Sequence, residues 1–147
     1  MMIYLGSDHG GFEAKEALKT WLQQQGYEIT DCGAYELDQN DDYPDFALKV
    51  AQAVSADPAA KGLLLCRSGG GMAIAANRVH GARAIEGYSE QSVQHGRTDN
   101  NANILTLAGD WLSMPQMQQM VHLFLSTSFS GEDRHQRRID KIESNSV

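Results

Sequence analysis

Five short apolar segments, at residues 2–6, 27–31, 62–66, 83–85 and 104–108, alternate along this chain with longer segments of helical periodicity. This alternation limits the fold more than any other feature. A strand, a crossover helix and another strand return the chain parallel to itself, and a parallel sheet needs helices over both faces. The first helical segment, 10–25, repeats Phe12, Ala14, Ala17, Leu18, Trp21 and Leu22 and stops at Gly26. Pro44 suits a helix start, and Phe46, Ala47, Val50, Ala51 and Val54 continue one apolar face. Residues 33–42 form a polar, acidic loop. Helices are expected at 72–78, 89–97, 115–129 and 134–142. The reading is an α/β domain spanning 1–147, with a five-stranded parallel sheet and helices on both faces. Residues 131–147 form its basic C-terminal helix and tail.

In such sheets, ligands bind outside the carboxyl ends of the strands. The loop after the first strand reads Ser7-Asp8-His9-Gly10-Gly11-Phe12. Taken alone, Asp8 reads as a helix N-cap and His9 as a surface residue. The loop after the third strand, Cys66-Arg67-Ser68-Gly69-Gly70-Gly71-Met72, is more informative. Three successive glycines let backbone amides crowd an anion, and a helix start follows with its positive dipole end toward the loop. The spacing rejects a phosphate-loop ATPase, because no Lys follows the glycines. Nor is there an Arg six residues after Cys66, as a cysteine phosphatase requires; that position is Met72. What remains is an oxyanion or sugar-oxygen cradle beside a thiol. A free cysteine is also a common small core residue.

Before the fifth strand, Asp99-Asn100-Asn101-Ala102-Asn103 is either a hydrogen-bonding cluster or a turn rich in Asn and Asp. In the last helix, Arg134 and Arg138 are four residues apart and share a face. They read as a solvated basic face or as a guanidinium pair for a phosphate.

The net charge, −7, excludes a general nucleic-acid binder. It is unevenly spread. Residues 1–60 hold Lys15, Lys19 and Lys49 against eleven acids, whereas 61–147 hold nine bases against eight acids. The acids of the first sixty residues are expected mostly on solvated surface, with Asp8 the exception. No apolar run approaches the ~20 residues of a membrane span, and residues 1–8 lack the pattern of a signal peptide. Cys32 and Cys66 make neither a disulfide framework nor a zinc cluster. A cytoplasmic location with reduced thiols is expected.

Together these segments resemble the ribose-5-phosphate isomerase type B and galactose-6-phosphate isomerase family. The resemblance rests on Ser7 to Phe12, Asp42-Tyr43-Pro44, Cys66 with Ser68-Gly69-Gly70-Gly71, Ile74-Ala75-Ala76-Asn77, Asn100 to Asn103, and Arg134-His135-Gln136 with Arg138. It implies a three-layer Rossmann-like fold in a homodimer, sometimes paired into a tetramer, with active sites between subunits. It implies an aldose–ketose isomerisation of a phosphosugar through a cis-enediolate, without metal or other cofactor. The leading pair is ribose 5-phosphate and ribulose 5-phosphate. By the same resemblance Cys66 is the base. Ser68, Gly69, Gly70 and Gly71 hold the enediolate oxygen. Asp8, His9, Tyr43 and Asn100 belong to the sugar site, and Arg134 and Arg138 to the phosphate.

Three positions depart from the family's pattern. Asp99 stands where many members have a ring-opening His, and is expected to be a poor acid at neutral pH. Gly109-Asp110-Trp111 lacks an Arg that often follows the fifth strand, and Arg67 replaces a common Gly, which returns a cation to the pocket. These departures leave two alternatives open: a hexose 6-phosphate or shorter phosphosugar as substrate, or a paralogue that binds without turnover.

Overall fold

The structure, a computed structural model, describes residues 1–145; Ser146 and Val147 of the expected basic tail lie outside the described residues. The strands are β1 Met2–Ser7, β2 Glu28–Asp31, β3 Lys61–Cys66, β4 Ala84–Glu86 and β5 Ile104–Ala108. The helices are α1 Phe12–Gln24, α2 Tyr43–Ala56, α3 Gly70–Ala76, α4 Glu90–Thr98, α5 Met114–Ser126 and α6 Asp133–Ser144. All strand pairs are parallel, in the order β2-β1-β3-β5-β4. The three-layer α/β expectation is met.

Side chains alternate across the sheet. Ile3, Leu5, Leu63, Leu65, Leu105 and Leu107 face α1, α4 and α5. Leu64, Cys66 and Ile104 face α2 and α3, where Ala47, Ala51, Ala73 and Ala76 let these two helices lie close. Each fully buried leucine contributes roughly 1.5–3 kcal/mol. No helix among the described residues is long and apolar enough to cross a membrane.

Element ends follow local chemistry. Asp8 first caps a 3₁₀ turn, His9–Gly11, so α1 starts at Phe12 rather than at residue 10. Helix α5 begins with a capping box, Ser113 with Gln116. It ends at Ser126, short of the expected residue 129, because Thr127 is extended and its carbonyl accepts a hydrogen bond from Arg97 Nε.

The expectation that the early acids are solvated is corrected at Asp31 and Asp41. Lys15 is fully buried on α1, and its Nζ lies 2.8 Å from the Asp31 carboxylate, which Lys19 also reaches. Periodicity places Lys15 at a buried helical position but says nothing of a partner sixteen residues away. Burial pulls the Asp31 carboxyl upward, yet the ammonium bonds from Lys15 and Lys19 outweigh it and hold it below the ordinary range. A depressed folded-state pKa stabilises the protein above the unfolded value, about 3.9, and the gain is lost as pH falls through the folded value. Asp31→Ala is therefore expected to cost about 3 kcal/mol at pH 7 by urea unfolding, because it strips a buried ammonium of a carboxylate. The stability deficit should shrink below about pH 4.

Candidate active site

The chain leaves β1 for β2 on one side and returns to β3 on the other, so the topological switch point lies between the carboxyl ends of β1 and β3. Here three loops are tied by their backbones. The amide of Asp8 donates to Leu65 O (3.3 Å), Gly109 N to Cys66 O (2.8 Å) and Asp110 N to Arg67 O (3.0 Å). Gly11 is required at its position, since a Cβ there would lie 2.6 Å from the Leu65 carbonyl carbon.

Cys66 ends β3 and is buried. Its Sγ accepts a hydrogen bond from the Gly69 amide at 3.0 Å. Gly69 has φ +86°, a left-handed conformation that folds the loop back over the thiol. Helix α3 begins at Gly70 and is only seven residues long, so the loop's own amides carry much of the capacity to hold an anion. The Tyr43 ring lies over Gly71: a Cβ there would approach it to 2.8 Å. Ser68 is exposed at the loop's crest.

Asp8 is buried, and its Oδ1 accepts from Gly10 N (2.9 Å) and Gly11 N (3.2 Å). The capping role read from sequence is thus real. Burial raises its carboxyl above the ordinary range, against the opposing pull of those amides and of His9. His9 is not a surface residue. Its ring Nδ1 lies 2.6 Å from Asp41 Oδ1, and the pair is mostly enclosed. Sequence reasoning missed Asp41, because nothing local separates it from the acids around it.

Arg67 is 62% exposed and stretches across the mouth, with Nη1 3.6 Å from Asp110 Oδ1. Its Cγ packs over Gly10, where a Cβ would approach it to 2.5 Å. The cation that departs from the family's pattern therefore sits between the β1 and β5 loops, beside the Gly109-Asp110-Trp111 segment that lacks one.

The remaining candidates are elsewhere. Asp99 and Asn100 follow α4, which runs back down the sheet, and so lie toward the amino ends of the strands. Asp99 is held below the ordinary carboxylate range, first by the Thr98 hydroxyl and then by His95, which leaves it unsuited to give a proton at neutral pH. Helix α6 packs at the same end. Arg83 Nη1 bonds Glu143 Oε1 at 2.8 Å, Gly81 N bonds Glu143 Oε2 at 3.2 Å, and His135 Nε2 lies 3.6 Å from Asp99 Oδ1. Arg134 and Arg138 are exposed on this helix, and Arg134 Nε pairs with its neighbour Glu132. One chain thus separates Asp8, His9, Tyr43, Cys66, Arg67, Ser68 and the glycines from Asp99, Asn100, Arg134 and Arg138.

The sequence matches the model of the family described as Ribose/Galactose Isomerase over residues 3–142. The chain belongs to this family. It is 42% identical over 140 residues to ribose-5-phosphate isomerase B of Mycolicibacterium paratuberculosis, covering 95% of this chain and 88% of that protein. The fold superposes on a crystal structure of a ribose 5-phosphate isomerase from Thermotoga maritima with TM-score 0.92 and 43% identity, over 97% of both chains. It also superposes on ribose-5-phosphate isomerase B of Mycoplasma genitalium with bound ribulose-5-phosphate (TM-score 0.93, 38% identity, 97% of this chain and 94% of that one).

Proposed function

We propose that this family member interconverts ribose 5-phosphate and ribulose 5-phosphate through a cis-enediolate. The observation that carries the reading is the ribulose-5-phosphate complex of the Mycoplasma genitalium relative, whose fold this chain reproduces nearly end to end. Cys66 takes the proton from C2 of the open-chain aldose and returns it to C1, while the O2 hydroxyl proton passes to O1 as the carbonyl moves from C1 to C2. The glycine-loop amides and Ser68 meet the negative charge that develops on oxygen, an electrostatic contribution that is usually the largest in such reactions. Asp8, His9 and Tyr43 surround the sugar.

The same proposal makes the working unit a homodimer, which can pair further into a tetramer. The opposed placement of the two residue groups supports this. If the α6 end of a second copy met the Cys66 loop of the first, Asp99, Asn100, Arg134 and Arg138 would complete its site. Edge strand β4 supports it as well: exposed Ile74 and Tyr88 line a groove beside this strand, whose outer edge has no partner strand among the described residues. A cytoplasmic location belongs to the proposal, since a thiol base must stay reduced.

A coupled assay of four-, five- and six-carbon aldose phosphates tests the substrate. The five-carbon compound is expected to give the highest kcat/KM. Preference for a six-carbon or shorter phosphate would move the substrate to the alternative that Arg67 and Trp111 suggest. Thermal stabilisation by every phosphosugar without turnover of any would make the chain a binding protein.

A further inference from the structure

Among the described residues, Asn101 is the one residue other than glycine with a positive φ, +46°. Asparagine tolerates this left-handed backbone better than most side chains. Two of its oxygens meet different arginines. Its carbonyl accepts from Arg83 Nε at 3.0 Å, and its side-chain Oδ1 accepts from Arg97 Nη1 at 3.1 Å.

Each guanidinium also reaches a second place. Arg97 lies in the last turn of α4 and is buried. Its Nη1 donates to Ala102 O as well, and its Nε donates to Thr127 O at 3.0 Å, where the chain leaves α5 for α6. In the same connection the Ser130 amide donates to Thr98 O at 3.0 Å. Arg83 reaches the last turn of α6, with Nη1 2.8 Å from Glu143 Oε1. Loop 99–103 is thus tied both to the segment that enters α6 and to the turn that ends it. The helix needs such ties, because only His135 and Ile139 of its twelve residues are buried.

The arrangement is costly. The oxygens that Arg97 meets are all neutral, and a buried charge without a carboxylate is expensive. Burial first, and then the like charge of Arg83, push its guanidinium below the ordinary pKa. An apolar side chain could pack on Phe124, whose ring centre lies 5.7 Å from Arg97 Cζ, without that cost. It could not hold several carbonyls in fixed directions, as the planar guanidinium fork does. A satisfied polar network of this kind rigidifies what it joins.

Resting on the isomerase reading and on the two-copy site above, we propose that Arg83 and Arg97 are positioning residues that meet at Asn101 and lock loop 99–103 to α6. Neither touches the substrate. They hold Asn100 on the loop, and Arg134 and Arg138 on the helix, as one preformed unit for the phosphosugar bound beside Cys66 of the other copy. A preformed unit binds more tightly because less ordering remains to be done on binding.

The deciding variant is Asn101→Gly. Glycine keeps the left-handed backbone and the carbonyl for Arg83, and removes only the oxygen that Arg97 meets. KM for ribose 5-phosphate and the competitive inhibition constant of inorganic phosphate are expected to rise together by about 10-fold, the scale of a displaced binding group. The kcat should stay within about threefold of the wild type, since the reacting centre is untouched. Asn101→Asp puts an acceptor back at the same place and is expected to return both constants to near the wild-type values. Arg83→Lys keeps a charge opposite Glu143 but loses the fork, and should raise both constants as well. A lower Tm with KM and phosphate inhibition unchanged would make the network a prop of the fold and overturn the proposal. So would a loss confined to kcat, or an Asn101→Asp chain as weak as Asn101→Gly. A wild type that converts neither ribose nor ribulose 5-phosphate would remove the isomerase reading itself, and this proposal with it.

Discussion

Cys66→Ala is expected to lower kcat for ribose 5-phosphate isomerisation by about 10³-fold, inside the range of 10²–10⁴ for a positioned general base. KM should change little. A loss confined to kcat marks a group that acts in the transition state rather than in binding. The reason lies in the placement of the sulfur. It ends a central strand, is enclosed, and is pinned by the Gly69 amide at 3.0 Å, so an alanine leaves no atom to take the C2 proton. The fold should survive, because alanine keeps the strand backbone and removes only one sulfur from the cluster it shares with Met72, Ala73 and Ala76. Steady-state kinetics decide the matter, with thermal stabilisation by ribose 5-phosphate as the check on binding. A variant with wild-type kcat would remove Cys66 from the chemistry.

A mixing experiment should show the second large effect. An Arg134→Ala/Arg138→Ala chain is expected to raise KM by about 10²-fold, since each guanidinium–phosphate contact contributes roughly 1.5–3 kcal/mol. Arg134 and Arg138 lie with α6 at the far end of the sheet from Cys66, so each site of a dimer would draw its thiol from one copy and its guanidiniums from the other. In a two-fold dimer made from one Cys66→Ala chain and one arginine-deficient chain, one site carries both defects and the other carries neither. Assayed near the wild-type KM, where each parent turns over only a trace of substrate, a refolded equimolar mixture of the two chains should therefore restore about a quarter of the wild-type rate. If each site were built within one chain, the mixture would stay as inactive as its parents. Restoration is thus a direct readout of where the phosphate clamp comes from.

The two regions of the proposed site were not equally readable from residue order. Cys66 and its glycines stand together because a strand end and the loop after it are local objects. Their geometry follows from a few consecutive residues: an apolar run, a left-handed glycine and a helix start. Arg134 and Arg138 were equally easy to find, because a spacing of four places two side chains on one helical face. Their distance from the thiol was not readable, since it depends on where α6 packs. That packing rests on Glu143 meeting Arg83 and Gly81, contacts that span sixty residues. Arg67 was visible as an unexpected cation, but its reach toward Asp110 and its seat on Gly10 required the three loops to be assembled.

The alternation of short apolar runs with helical periods was enough to specify a parallel sheet, its five strands and two covered faces. Those properties come from the local stereochemistry of the chain and the need to bury one face of each element. The order of apolar residue, cysteine and glycine was likewise enough to place a thiol beside a backbone-lined cradle. Residue order did not determine which charges were buried. Lys15 and Asp31, His9 and Asp41 have no partners that residue order discloses. Each became a tight pair only when α1 met β2 and the acidic loop folded back on the β1 turn. Electrostatic pairing acts through space at about 3 Å, and only the tertiary fold brings residues sixteen or thirty-two positions apart to that distance.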